Sequence, residues 1–274
     1  MASIGIFDSG LGGLSVWREV VRCLPEASTL YFADQAHVPY GPRPLEEVRQ
    51  YTKGITAFLL SQGADLIVVA CNTASGAALH ALRQTFPDVP IVGMEPAVKP
   101  AAERTRSGVI GVIATPATFQ GDLFQELVER FAAEVRLETQ ACPGLVDAVE
   151  AGDLDTPETE ALLKKYLQPM LDAGIDHLVL GCTHYPFLSP TIAKVAGPGV
   201  TLIDPAPAVA RQVARLLDSR KPAGPPHHRF YTTGDRQTLV AMAQQLVGYT
   251  GSVLQAKWEQ ETTVTAQPTP EEVA

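Results

Sequence analysis

Short β-branched apolar runs alternate with helix-periodic segments along nearly the whole chain, and halfway through the alternation starts again. Ser3 to Phe7, Leu66 to Ala70 and PIVGM are bounded by turn residues and read as buried strands. Between them, Leu14 to Leu24 and Ser75 to Phe86 read as helices. So does the segment that puts Leu45, Val48, Ile55, Phe58 and Leu59 on one face. A second round begins near Gly108 with VIGVIA, followed by TPATF, where Thr115 is placed to cap a helix that has Pro116 at its first position. A helix over Gln120 to Ala133, the strand VRLETQ, a helix over Pro157 to Ala173 and the strand HLVLG come next. Then follow VTLID, a helix over Ala208 to Leu217, the Pro/Gly-rich KPAGPPHH, the strand RFYTTG and a helix over Asp235 to Val247. Such alternation predicts an α/β fold of mostly parallel sheets flanked by helices.

The two rounds resemble each other in detail. Ile4-Gly5-Ile6-Phe7 is matched by Ile110-Gly111-Val112-Ile113, and the strand that ends at Cys71 by the strand that ends at Cys182. Internal similarity on this scale predicts two pseudo-symmetric domains with an active site in the cleft between them. The expected division is 1–97 plus 208–255 for the first domain and 98–207 for the second, with 256–274 a loose tail rich in Thr, Pro and Glu. Open parallel sheets bind ligands outside the carboxyl ends of their strands, so the cleft would receive both cysteines from opposite sides.

The formal net charge of −9, without a Lys/Arg cluster, argues against a nucleic-acid partner. No apolar run reaches membrane-span length, and MASIGIFDSG lacks the features of a signal peptide, so the expected compartment is the cytoplasm. The four cysteines form no C-x-x-C pair, and His37, His80, His177, His227 and His228 show no ligand spacing, so no metal site is expected. Cys23 and Cys142 read as core residues.

The stretches VVACNTASG and LVLGCTHYP each end a strand in Cys followed by polar residues. One such cysteine would suit a core, but two at matched positions point to chemistry. A thiolate on one side of a carbon can remove a proton while a thiol on the other side delivers one, which is racemisation or epimerisation. A free thiol is only a few per cent ionised at neutral pH, a cost of roughly 2 kcal/mol, so each sulfur needs help. The start of the helix after Cys71 is expected to favour a thiolate there. Asp8 at the end of the first strand and His184 two residues after Cys182 are candidate proton acceptors. Gly10, Gly12 and Gly13 do not fit the dinucleotide pattern, and Asp8 at the head of the loop would repel a phosphate. On spacing alone, Glu150 reads as a solvated helix residue.

With these residues in view, the motifs DSGLGG, PYG, ACNTAS, EPAVKPA, GVIATPAT and GCTHYP, in that order over about residues 3 to 205, resemble the glutamate racemases, a family of cofactor-independent amino-acid racemases. The resemblance implies interconversion of L- and D-glutamate, supplying D-glutamate for peptidoglycan, with no cofactor and no metal. By position it makes Cys71 and Cys182 the proton-transfer residues, the first acting on the D- and the second on the L-enantiomer, assisted by Asp8, Glu150 and His184. It places substrate contacts at Asp8, Ser9, Tyr40, Gly41, Asn72, Thr73, Thr115, Thr118, Thr183 and His184. Members of the family commonly form homodimers, though on differing contact surfaces, and no sequence feature here picks one. The chain departs from the family's usual pattern at Gly144 and Asp147, ahead of Glu150, and in PAPAVA after Asp204.

Three other readings compete. A racemase of aspartate or another acidic amino acid would use the same two thiols. A cysteine hydrolase would use Cys182 and His184 with a third, orienting group, and would leave Cys71 idle. A binding protein would need neither thiol.

Overall fold

The structure, a computed structural model, describes residues 3–217, 225–260 and 262–267. The first half runs β1 (Ser3–Asp8), α1 (Leu14–Cys23), β2 (Ser28–Ala33), α2 (Leu45–Ser61), β3 (Leu66–Val69), α3 (Asn72–Thr85) and β4 (Ile91–Gly93). After α4 (Val98–Arg104) come β5 (Val109–Ala114), α5 (Pro116–Gln120), α6 (Asp122–Phe131), β6 (Arg136–Ala141), α7 (Leu145–Ala151), α8 (Pro157–Asp172), β7 (His177–Gly181), a 3-10 turn, α9 (Ser189–Ala196) and β8 (Thr201–Ile203). The chain then returns through α10 (Ala206–Leu217), β9 (His228–Thr232), α11 (Arg236–Val247), β10 (Val253–Gln260) and β11 (Thr263–Ala266).

The strands form two sheets, ordered β11-β10-β9-β2-β1-β3-β4 and β6-β5-β7-β8. Within the first, β2-β1-β3-β4 has the same connectivity as the whole second sheet, so the pseudo-symmetry expected from the repeated sequence is present in the topology. Every strand pair is parallel except β10 with β11. β1 and β3 are apolar on both faces because helices cover both sides: Ile4, Ile6 and Val68 join one buried cluster, and Phe7, Ile67 and Val69 another. The first of these clusters continues into the second half through Leu145, Leu163, Leu180 and Tyr185, so the halves share apolar core.

Several expectations need correction. β2 and α4 did not stand out in the sequence, and the helix expected over Gln120 to Ala133 is the shorter α6, set off from the helix that starts at Pro116 by Gly121, extended at ψ 140°. Cys23 is exposed, since it is the last residue of α1 and lies past the turns whose Leu14, Trp17 and Val20 are buried. The loose tail expected from 256 is instead ordered through β11. Val253, Ala256 and Val264 are buried and β10 pairs with β9, so backbone pairing and apolar burial offset the polar composition. Residue 261 and residues 268–274 of that tail, and part of the KPAGPPHH segment, lie outside the described residues. Among the described residues no helix is long and apolar enough to cross a membrane.

Candidate active site

In each sheet the strand order reverses beside the first strand, at β1/β3 and at β5/β7, which opens a crevice beyond the carboxyl ends of those strands. β1 ends at Asp8, β3 leads to Cys71, β5 leads to Thr115 and β7 leads to Cys182. The two crevices face each other. Cys71 and Cys182 line one small cavity with Ser9, Tyr40, Gly41, Asn72, Thr73, Thr115, Thr183 and His184, and Pro39 and Val146 add apolar wall. Its free space is about 10 Å³, room for about one water.

Asp8 lies fully buried beneath Cys71. Its Oδ2 accepts from Gly13 N at 2.8 Å and Gly10 N at 3.4 Å, and Thr183 Oγ1, from the opposite half, donates to its Oδ1 at 3.3 Å. Burial pushes this carboxyl above its ordinary range, against the opposing effect of His184 and the Gly13 hydrogen bond. Cys71 is the N-cap of α3, its Sγ accepting from Ala74 N at 3.4 Å. That donor favours a thiolate, as expected, but burial and the neighbouring Asp8 carboxylate outweigh it and push the thiol well up. The help expected from the start of α3 is present in that N–H, and burial and Asp8 work against it.

Cys182 has a different neighbourhood. His184 Nδ1 lies 3.7 Å from its Sγ, and His184 Nε2 lies 2.7 Å from Glu150 Oε1. Burial alone would hold the ring neutral, yet its hydrogen bonds to Cys182 and Glu150 raise its basicity well above the usual histidine range. For Glu150, burial works upward but is overcome by His184, Leu11 N at 2.6 Å and Gln35 Nε2 at 3.3 Å, which hold its carboxyl below the usual range. The solvated reading of Glu150 is thus overturned: α7 turns it inward, where it is largely buried. Two glycines of DSGLGG are explained by this contact, because a Cβ on Gly10 would collide with Glu150 Oε1 and one on Gly12 with His184 Nδ1; one on Gly13 would meet Asp8 Cβ.

Thr73, Thr115 and Thr118 form a buried triangle of hydroxyls at the starts of α3 and α5, with Oγ1 separations of 2.8, 2.9 and 3.3 Å. Thr115 caps α5 as its sequence predicts, accepting from Thr118 N at 3.2 Å. Asn72 is 4% exposed, and neither its Oδ1 nor its Nδ2 has a hydrogen-bond partner. Such a side chain beside a cavity suits a polar ligand. Among the described residues no Lys or Arg lines the cavity, so a bound carboxylate would be met by hydroxyls, an amide and backbone N–H groups near helix starts.

Every residue named from the sequence for this site lines the cavity or hydrogen-bonds to a residue that does. Sequence reasoning missed Gln35, Pro39, Val146 and the Leu11 N–H. Pro39 lies within the PYG motif, whereas nothing in the local pattern signals Gln35 or Val146. Among the described residues no group of three or more His, Cys, Asp or Glu is placed to hold a metal ion.

A sequence family described as Asp/Glu/hydantoin racemase matches residues 4–213. A glutamate racemase from Roseiflexus sp. (strain RS-1) is 56% identical over 217 residues, covering 79% of this chain and 80% of its own length. Among solved structures, a glutamate racemase isoform from Bacillus anthracis gives a TM-score of 0.84 at 37% identity, covering 92% of this chain and 96% of that one. Escherichia coli glutamate racemase, solved with L-glutamate and the activator UDP-MurNAc-Ala, gives 0.83 at 31% identity, covering 97% and 99%.

Proposed function

The chain belongs to the Asp/Glu/hydantoin racemase family, and from that premise we infer that it interconverts L- and D-glutamate without a cofactor, supplying D-glutamate for peptidoglycan. The observation that carries the mechanism is that two thiols line one cavity, each with its own proton acceptor. In the D-to-L direction, Asp8 takes the Cys71 proton as substrate arrives, and the Cys71 thiolate removes the α-proton. The Cys182 thiol then delivers its proton to the other face, its thiolate stabilised by the His184–Glu150 pair. In the L-to-D direction the roles exchange, with His184 accepting the Cys182 proton. The carbanion shares its charge with the α-carboxylate, and donors held in place before the reaction stabilise it without reorganising. Asn72 and the threonine triangle are assigned to the substrate's carboxylates, and Ser9, Tyr40, Gly41 and Thr183 to the remaining walls.

The Cys182–His184–Glu150 chain has the third group that a cysteine hydrolase requires. A hydrolase would leave the Cys71–Asp8 pair, in the same cavity, without a task. Two domains, 1–97 plus 208–255 and 98–207, are proposed to close on the substrate. A cytoplasmic location and a homodimer complete the reading.

Solvent deuterium tests it. Incubation of either enantiomer in D₂O should put label at the α-carbon as the enantiomers equilibrate. Cys71→Ala and Cys182→Ala should each lose at least about 100-fold in racemisation, within the usual span for a positioned acid or base. Cys23→Ala, at an exposed site, should keep its rate. Racemisation with no α-deuterium would exclude the two-thiol route, and hydrolysis without enantiomer exchange would favour the hydrolase.

A further inference from the structure

Asp34 directly follows β2, and its N–H donates to the carbonyl of Asp8 at 3.0 Å. Its side chain is fully buried, and four side chains from three parts of the chain converge on it. Tyr40 Oη donates to Oδ2 at 2.6 Å, and His37 Nδ1 lies 2.9 Å from the same oxygen. Thr233 Oγ1 and Trp258 Nε1 each donate to Oδ1 at 2.8 Å. One carboxylate therefore ties Tyr40, in the cavity wall, to the β10–β11 hairpin about 220 residues later in the chain.

The rings repeat this connection. His37 stacks on Tyr51 with centroids 4.0 Å apart, and Trp258 meets both, at 5.4 Å from His37 and 5.5 Å from Tyr51. Arg43 Nε donates to the carbonyl of His37 at 2.6 Å, so the loop that carries Tyr40 and Gly41 is fastened beyond Tyr40 as well. A third feature prepares the seat. Gly54 lies inside α2, where glycine costs about 1 kcal/mol against alanine, and a Cβ there would press on the Trp258 ring at 2.9 Å and the Thr262 carbonyl at 2.7 Å. The helix gives up intrinsic stability at the point where the hairpin approaches.

We propose that the β10–β11 hairpin is a latch for the substrate cavity, with Asp34 the positioning residue and Trp258 the anchor that together hold the Tyr40–Gly41 wall in its binding geometry. The hairpin lies outside the matched span of residues 4–213 and does not touch the reacting sulfurs, so it acts through Asp34. This inference rests on the reading of the cavity as the glutamate site. A Tyr40 ring that has lost its tether leaves substrate and transition state with the same misplaced wall, so the defect belongs in KM more than in kcat.

The test uses the full chain. Trp258→Phe keeps a ring but removes the donor, Thr233→Val removes the other donor to the same oxygen, and Tyr40→Phe removes the donor on the cavity side. Trp258→Phe and Thr233→Val should each raise KM for both L- and D-glutamate by about tenfold, the worth of one charge-assisted hydrogen bond, with kcat within about twofold of the parent, and Tyr40→Phe should raise KM by at least as much. Trp258→Phe combined with Tyr40→Phe should raise KM by clearly less than the product of the single effects, because both act through one carboxylate. Circular dichroism and Tm establish that each variant is folded, and Thr233→Val serves if Trp258→Phe does not fold. A hairpin that only stabilises the fold would lower Tm and leave KM unchanged; that result, or fully multiplicative effects in the double variant, would overturn the proposal. A parent chain that fails to racemise glutamate would instead refute the functional reading.

Discussion

Asn72 keeps a whole side-chain amide buried without a partner, at a desolvation cost of about 1–3 kcal/mol for each unpaired group. Under the proposed function that cost falls away when substrate pairs with the amide. Asn72→Leu, similar in volume and apolar, should therefore raise the Tm of the free protein, by about 2–4 °C per kcal/mol recovered, while raising KM for both enantiomers. Calorimetry and steady-state kinetics on the same sample would check the opposed shifts. His184 and Glu150 give stability a pH dependence whose sign follows from their shifts. The His184 value is raised above 6.5, so its contribution is fully present below 6.5 and lost as pH rises through the folded value. The Glu150 value is lowered below 4.5, so its contribution is present above 4.5 and lost as pH falls through the folded value. Thermal unfolding across pH should show the alkaline decline in the parent, and His184→Asn should flatten it. Asp8, Cys71, Cys182 and His184 were legible in the sequence because each ends or closely follows a strand, where polar residues break an apolar run. Gln35 was not, because its reason for being there is Glu150, 115 positions away.

At the scale of elements, the starts of α3 and α5 carry the polar half of the site. Thr115 fixes the start of α5 and also belongs to the hydroxyl triangle, so one residue serves both the helix and the cavity. Thr115→Ala should cost about 1 kcal/mol in stability, the usual worth of an N-cap, and should raise KM as well; Thr115→Ser should restore both. Chemical denaturation and kinetics on the pair would separate cap from contact. The cap and most strands could be read locally, since side-chain geometry and apolar runs act over a few residues. β10 could not. Val253, Leu254, Ala256 and Trp258 are interrupted by Gln and Lys and do not announce a strand, and it forms because β9 offers an edge and α2 offers a seat at Gly54.

At the scale of the molecule, two sheets that share a four-strand connectivity bring both thiols to one cavity of about 10 Å³, too small for glutamate as it stands. Under the proposed function the cavity opens to admit glutamate, and the bound form should gain stability from ligand. L- or D-glutamate at 100 times its Kd should add about 2.7 kcal/mol, and thermal shift should respond more to glutamate than to aspartate at equal concentration. An equal or larger response to aspartate would favour the aspartate racemase. What the sequence determined by itself was the alternation, the repeat and the residues at strand ends, because backbone periodicity and turn chemistry are local. Only the tertiary structure decided that Asp8 pairs with Cys71, that Glu150 turns inward to His184, and that the β10–β11 hairpin folds back on the loop that carries Tyr40. Those pairings depend on charge, burial and close approach between segments far apart in the chain, and such quantities exist only once the two halves have packed.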